Sequence, residues 1–186
     1  MSQTDRDKWN ARYRERGQKT ERPSSFLTSL DLLPTSGRAL DVAGGAGRHA
    51  IWLAQRGLDV TLADVSEEAI SLAEDEAASA GVRITSRIVD LETEPFPAGP
   101  WDLIVSFYYL QRSLFDSFAD ALAPGGLLVF AQPTTSNLQR NTKPPARFLL
   151  EDGELPGLVR GLEVIRYHEG WQAEGRHEAR LVARKG

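Results

Sequence analysis

The segment Arg38–Gly47, RALDVAGGAG, constrains this chain more than any other. A short apolar run, Arg38–Val42, stops at Gly44, Gly45 and Gly47, and a helix-forming stretch, Ala46–Arg56, follows at once. Glycines serve such a junction because the chain turns tightly there and a ligand can meet the backbone with no Cβ in the way. The N-terminus of the next helix adds unpaired N–H groups that favour an anionic group, phosphate or carboxylate. A glycine cluster alone also fits an ordinary strand-to-helix turn.

The rest of the chain repeats this rhythm. Gly57 closes the first helix, Leu58–Ala63 reads as a second strand, and Ser66 caps a helix to about Ala80 with Glu67 and Glu68 in its first turn. Ile84–Val89 and Trp101–Phe107 are the third and fourth strands, Ser113–Leu122 is a crossover helix, and Leu127–Ala131 is a fifth strand after the turn Pro124-Gly125-Gly126. Thr134–Pro145, rich in Thr, Asn and Pro, reads as a loop able to move. Leu162–His168 and Glu178–Arg184 are separated by a segment too short for a crossover helix, so they pair antiparallel. Ahead of the first strand, Thr4–Arg16 sets Trp9 and Tyr13 on one helix face. Ser24 or Ser25 then caps a helix through Leu33 with Phe26, Leu27, Leu30 and Leu33 as its stripe. The expected architecture is α/β: a Rossmann-like three-layer sandwich whose seven-stranded, mostly parallel sheet ends in an antiparallel hairpin. One domain spans residues 1–186, with N-terminal helices over 1–34 and the core over 38–186.

Three acids stand at the exits of successive strands: Asp41, Asp64 and Asp90. Open parallel sheets bind ligands along that edge. Asp64 follows Gly47 by 17 positions, where a carboxylate can accept ribose hydroxyls. Gly45–Ala50 also satisfies the dinucleotide pattern G-x-G-x-x-[GA], so the turn alone leaves the ligand open. Asp41 bears on the choice: beside a pyrophosphate it would be repelled, beside an ammonium attracted.

These residues, with LAPGGLLVF at Leu122–Phe130, ALDVAGGAGRHAIWLAQRG at Ala39–Gly57 and the terminal hairpin, resemble the class I S-adenosylmethionine-dependent methyltransferases over nearly the whole chain. KWNARY at Lys8–Tyr13, GRHA around Arg48–Ala50 and the ending RFLLEDGEL…YHEGW are most similar to the small tellurite-resistance-type members. The resemblance implies S-adenosyl-L-methionine as cofactor and a small-molecule methyl acceptor. Asp41 would hold the methionine amino group, with Ala43, Gly44, Gly45 and Gly47 as the loop. Asp64 would take the ribose, Val65 one adenine face, Asp90 the adenine amino group and the Leu91 amide a ring nitrogen, with Ser106, Trp9 and Tyr13 completing the cofactor site. Two departures stand out: Ala43 replaces the usual first glycine, and Tyr108 and Gln111 follow the fourth strand where relatives often carry Asn and His.

Methyl transfer is an in-line displacement, and a general base is optional for a thiolate, a metalloid oxyanion or a neutral amine. Tyr108 and Arg112 are the candidates for acceptor chemistry. Phe107, Tyr109, Arg147 and the Thr134–Pro145 loop are candidates for the mouth, and Trp9 and Tyr13 for a lid. His49 faces either cofactor or solvent, and His168 and His177 are expected to be exposed. The competing readings are a non-catalytic cofactor-binding module, suggested by Tyr108 and Gln111, and a nicotinamide dehydrogenase.

Composition removes other classes. With no cysteine, disulfides, thiolate catalysis and cysteine-based metal sites are excluded, and three histidines make a metal centre improbable. A net charge of −4 argues against a general nucleic-acid binder. Seven basic residues against four acids within residues 1–22 are interspersed, as on a solvated helix face. Without an apolar run of membrane-spanning length or a signal-like N-terminus, the expectation is a cytoplasmic protein, monomer or homodimer, with no membrane or nucleic-acid partner.

Overall fold

The computed structural model describes residues 3–17 and 21–186; Lys19 of the N-terminal basic cluster lies outside them. Five parallel strands, β1 (Arg38–Val42), β2 (Asp59–Asp64), β3 (Thr85–Ile88), β4 (Trp101–Phe107) and β5 (Leu122–Pro133), are followed by β6 (Leu162–Trp171) and β7 (His177–Lys185). The sheet order is β3-β2-β1-β4-β5-β7-β6, with β7 antiparallel to both neighbours. The chain reverses direction across the sheet between β1 and β4, so the strand exits of both face one crevice.

The central strands are apolar on both sides because both faces are covered. Ala39, Leu62, Val60, Leu103 and Val105 pack under α3 (Arg48–Gln55) and α4 (Glu67–Ser79). Leu40, Val42, Ile104, Leu128 and Phe130 pack on the other face with Leu114, Phe115 and Phe118 of α5 (Leu114–Ala121). α4 starts where its sequence says it should: the Ser66 hydroxyl accepts the Ala69 N–H at 3.1 Å, and Ala69, Ile70, Ala73 and Ala77 form its buried stripe. α1 (Gln3–Arg16) docks on α4 through Asn10, whose side-chain oxygen accepts the Ser66 hydroxyl at 2.7 Å, and through the Arg14–Glu68 ion pair at 2.7 Å.

Several boundaries differ from expectation for local reasons. α2 is only Ser25–Thr28, because the Thr28 and Ser29 hydroxyls turn back onto the Ser25 and Phe26 carbonyls and compete with helix propagation. Neither Ser24 nor Ser25 caps it with a side chain, yet Leu27, Leu30 and Leu33 are still buried. α3 begins at Arg48 rather than Ala46, since Gly47 takes a left-handed φ of 77°. Pro124-Gly125-Gly126 is a bulge inside β5: Trp101 pairs with Leu122 and Leu103 with Leu127. The final hairpin strands are longer than predicted.

The Thr134–Pro145 segment is folded rather than free. It forms a 3-10 turn at Thr135–Gln139, Thr134 bridges to Leu150, and buried Asn137 bonds to Lys143, Asn141 and His177. His177, expected at the surface, is half-buried, bonded to the Thr134 hydroxyl at 2.7 Å and stacked edge-on against Trp171. His168 is exposed. No helix among the described residues is long and apolar enough to cross a membrane.

Candidate functional site: a cavity at the exits of β1, β2 and β4

Each glycine of the turn has a separate neighbour. A Cβ on Gly44 would strike the Asp41 carboxyl at 2.5 Å and the Leu62 side chain; on Gly45 it would strike the Tyr13 hydroxyl; on Gly47 it would lie 2.9 Å from the Ala73 Cβ. Gly44 therefore makes room for a carboxylate, Gly45 for the helix above it, and Gly47 for the α3–α4 contact. Gly45 and Gly47 also adopt left-handed φ values of 58° and 77°. Ala43 adopts φ 52° without glycine's freedom, a strain of about 1 kcal/mol.

Asp41 and Asp64 are both buried at the turn but are satisfied differently. The Asp64 carboxylate accepts the Gly45 N–H (2.9 Å, Oδ2) and the Ser66 N–H (2.9 Å, Oδ1), which fixes the turn against β2. Burial still pushes its pKa up against those hydrogen bonds. Asp41 accepts only the Ala50 N–H, at 3.0 Å on Oδ2; Oδ1 is sealed from solvent and has no partner. Burial drives its pKa from 3.8 to about 7 despite the Ala50 bond and the Arg48 charge.

Around them lies a cavity of about 410 Å³ bordered by Asp41, Ala43, Gly44, Gly45, Asp64 and Val65. Trp9 and Tyr13 of α1 line it from above, their ring centroids 6.2 Å apart, with Arg12, Glu21 and Arg22 at the rim. Gly47 packs below, against α4. Asp90, Leu91 and Ser106 do not border this cavity. The Asp90 Oδ1 is turned onto the Glu92 N–H at 3.0 Å, Leu91 is buried in the core beneath α5, and strand alternation sends Ser106 to the face opposite Asp41. Tyr109 closes that side. Its hydroxyl donates to Gln111 Oε1 at 2.6 Å, and burial, then the charges of Glu92, Asp90 and Asp64, raise its pKa.

The β4 side holds Phe107, Tyr108 and His49. Phe107 is core, 6% exposed, and carries the His49 ring at 4.3 Å. Tyr108 follows the strand with φ 62°, an outlier for a bulky residue of the kind that clusters at functional sites. It is held by its N–H on the Ala131 carbonyl (2.9 Å) and its hydroxyl on Glu178 Oε1 (2.9 Å). Glu178 is buried and bonded to Arg180 at 3.0 Å. The guanidinium groups of Arg48 and Arg176 stand 5.6 and 5.1 Å from the Tyr108 ring centroid.

Arg112, expected to overhang this side, does not border the cavity. It is engaged by Glu154 (2.5 and 2.8 Å) and the Leu149 carbonyl (3.2 Å). Arg147 packs over Phe148. Arg48, Arg176 and Glu178 were not singled out from the sequence. Arg48 follows the glycine turn directly and was within reach of pattern reading, whereas the other two arrive from the final hairpin with no local signal.

Residues 39–126 match the family described as a methyltransferase domain. An uncharacterized protein of Mycobacterium tuberculosis is 39% identical over 81 residues, covering 44% of this chain and 30% of its own. A ubiquinone biosynthesis O-methyltransferase of Idiomarina loihiensis is 28% identical over 148 residues, covering 76% of this chain and 53% of its own. The chain thus spans between about a third and a half of these curated relatives. Among solved structures, TehB from Haemophilus influenzae superposes with a TM-score of 0.75 at 19% identity, over 96% of this chain and 67% of that one. Residues 39–126 are thus similar to a methyltransferase domain, and the fold is that of the solved structure superposed on it.

Proposed function

We propose that this protein transfers the methyl group of S-adenosyl-L-methionine to a small anionic acceptor, an oxyanion, metalloid or thiolate, by in-line displacement. The observation that carries the reading is the buried Asp41 carboxyl, which borders the cavity beneath the glycine turn and has one oxygen without a partner. A buried carboxylate with one empty oxygen is costly by itself and favourable beside a cation, so it suits an ammonium and opposes a pyrophosphate.

The remaining residues fit the same group. Asp64 retains lone pairs on both oxygens beyond its two backbone bonds and can accept ribose hydroxyls. Val65 offers an apolar surface for a base. When bound, the cofactor's sulfonium supplies a methyl carbon activated for attack. Trp9, Tyr13 and Tyr108 keep water from the cavity, and Arg12, Arg22 and Arg48 around the mouth draw an anion towards it. The cavity's size favours a small acceptor.

Titration calorimetry with S-adenosylhomocysteine and with NAD tests the reading. Saturable binding of the former alone is expected, followed by labelled-methyl transfer to thiols or oxyanions. A folded protein that ignores S-adenosylhomocysteine at high micromolar concentration, or prefers NAD, overturns it.

A further inference from the structure

His49 has no part in the reading above, yet its position is highly determined. It is 2% exposed, lies against Phe107 and borders the cavity beside Asp41 and Tyr108. Its Nε2 accepts the backbone N–H of Ser24 at 3.3 Å. A neutral imidazole that accepts at one nitrogen carries its proton on the other, so Nδ1 is the donor. No described residue accepts from Nδ1, and it is absent from the sealed, partnerless polar atoms, which are Asp41 Oδ1, Ser106 Oγ and Gln132 Oε1. His49 is among the residues that line the cavity, so this unpartnered N–H is the group it can offer to a ligand there.

We propose that His49 is a fixed hydrogen-bond donor of the acceptor subsite: its Nδ1–H meets an oxygen of the methyl acceptor while Nε2 stays on the Ser24 amide. This rests on the methyltransferase reading and narrows the acceptor class to oxygen-bearing anions such as carboxylates or oxyacids. No proton moves; the ring orients the acceptor. The packing on Phe107 puts His49 on the β4 side of the cavity, with Tyr108 and Arg48, rather than beside Asp64.

The surroundings keep the ring neutral. Burial, then the Arg48 charge, push its pKa down to about 3. The other charged or titratable groups lining the cavity near it are Asp41, Tyr108, and Glu21 and Arg22 on the segment before α2. A general base needs a free nitrogen and a pKa near the working pH. His49 has its basic nitrogen occupied and its pKa far below, so a base role fails on both counts.

Nitrogen NMR of the histidine side chains in the ligand-free protein is the first test. His49 should show a protonated Nδ1 and a bare Nε2, unchanged from about pH 8 to about pH 5. The opposite tautomer, or a titration in that window, overturns the proposal. The second test adds acetate as a carboxylate probe to protein saturated with S-adenosylhomocysteine. Acetate should shift the His49 Nδ1 resonance saturably. His49→Asn, which keeps an N–H at the Nδ1 position, should retain acetate affinity within about threefold, and His49→Gln, which reaches the Nε2 position, should lose about tenfold. Equal affinities, or no Nδ1 shift, overturn it. The wild-type measurements decide the matter should either variant fail to fold. Loss of S-adenosylhomocysteine binding alone would sink the methyltransferase reading while leaving the tautomer result intact.

Discussion

At the β1–β2 end of the cavity Asp41, Asp64 and Ser66 come from one continuous stretch, whereas at the β4 end that stretch supplies only His49, and Tyr108 is held from behind by Arg176 and Glu178 of the final hairpin. The first end is fixed by carboxylates bonding to backbone amides within that stretch: Asp64 to the Gly45 and Ser66 amides, Asp41 to the Ala50 amide. The second is fixed by long-range contacts, Tyr108 to Glu178 across 70 residues and His49 to Ser24 across 25. The difference suggests that cofactor binding and acceptor choice can be altered separately.

Breaking the first end should have the largest effect. Asp64→Ala removes the proposed acceptor of ribose hydroxyls and the anchor of the Gly45 amide, and should weaken S-adenosylhomocysteine by about 100-fold or more in calorimetry. Loss of the buried carboxylate's own burial cost offsets part of the stability lost, so thermal unfolding should change less than binding. A larger loss of stability than of affinity would make Asp64 a structural residue only.

The second end should respond the other way. Glu178→Gln removes the charge that holds Arg180 and Tyr108, costing about 2–4 kcal/mol in denaturant unfolding. S-adenosylhomocysteine affinity should stay within about threefold, since Glu178 lies outside the cofactor end. A coupled loss of cofactor binding would mean the two ends are not independent. The smallest effect is expected of Ala43→Gly, which relieves a left-handed backbone at the turn. It should raise stability by at most about 0.6 kcal/mol with binding unchanged, because glycine's greater unfolded entropy offsets most of the gain. A destabilised variant would show that Ala43 is not strained.

What the sequence revealed follows the same division. The order of strands, the antiparallel end and the glycine turn were legible because apolar runs, turn residues and acids recur at spacings set by strand and helix geometry. Asp41 and Asp64 were legible as strand-exit acids, but which of them would keep an empty oxygen was not, since that depends on whether a later amide reaches it. Asp90, Leu91 and Ser106 sit at the predicted strand ends yet outside the cavity, because strand alternation and a local turn aim them elsewhere. Arg112 carried the right charge at the right edge, but Glu154, 42 residues on, engages it. Such tertiary partners leave no trace in local pattern.

Asp41 carries the central claim, and its titration offers the most direct measurement. Its folded pKa, about 7, is raised above the ordinary 3.8, so its contribution to the stability of the unliganded protein is greatest below about pH 4 and is lost as pH rises through about 7. An ammonium beside Oδ1 would reverse this by favouring the ionised carboxylate. Titration of S-adenosylhomocysteine at pH 7 in buffers of different ionisation enthalpy should therefore register net proton release. Asp41→Asn should abolish that release, weaken binding and make the unliganded protein more stable above neutral pH. Binding without proton release at pH 7, or the same release in Asp41→Asn, would contradict the account.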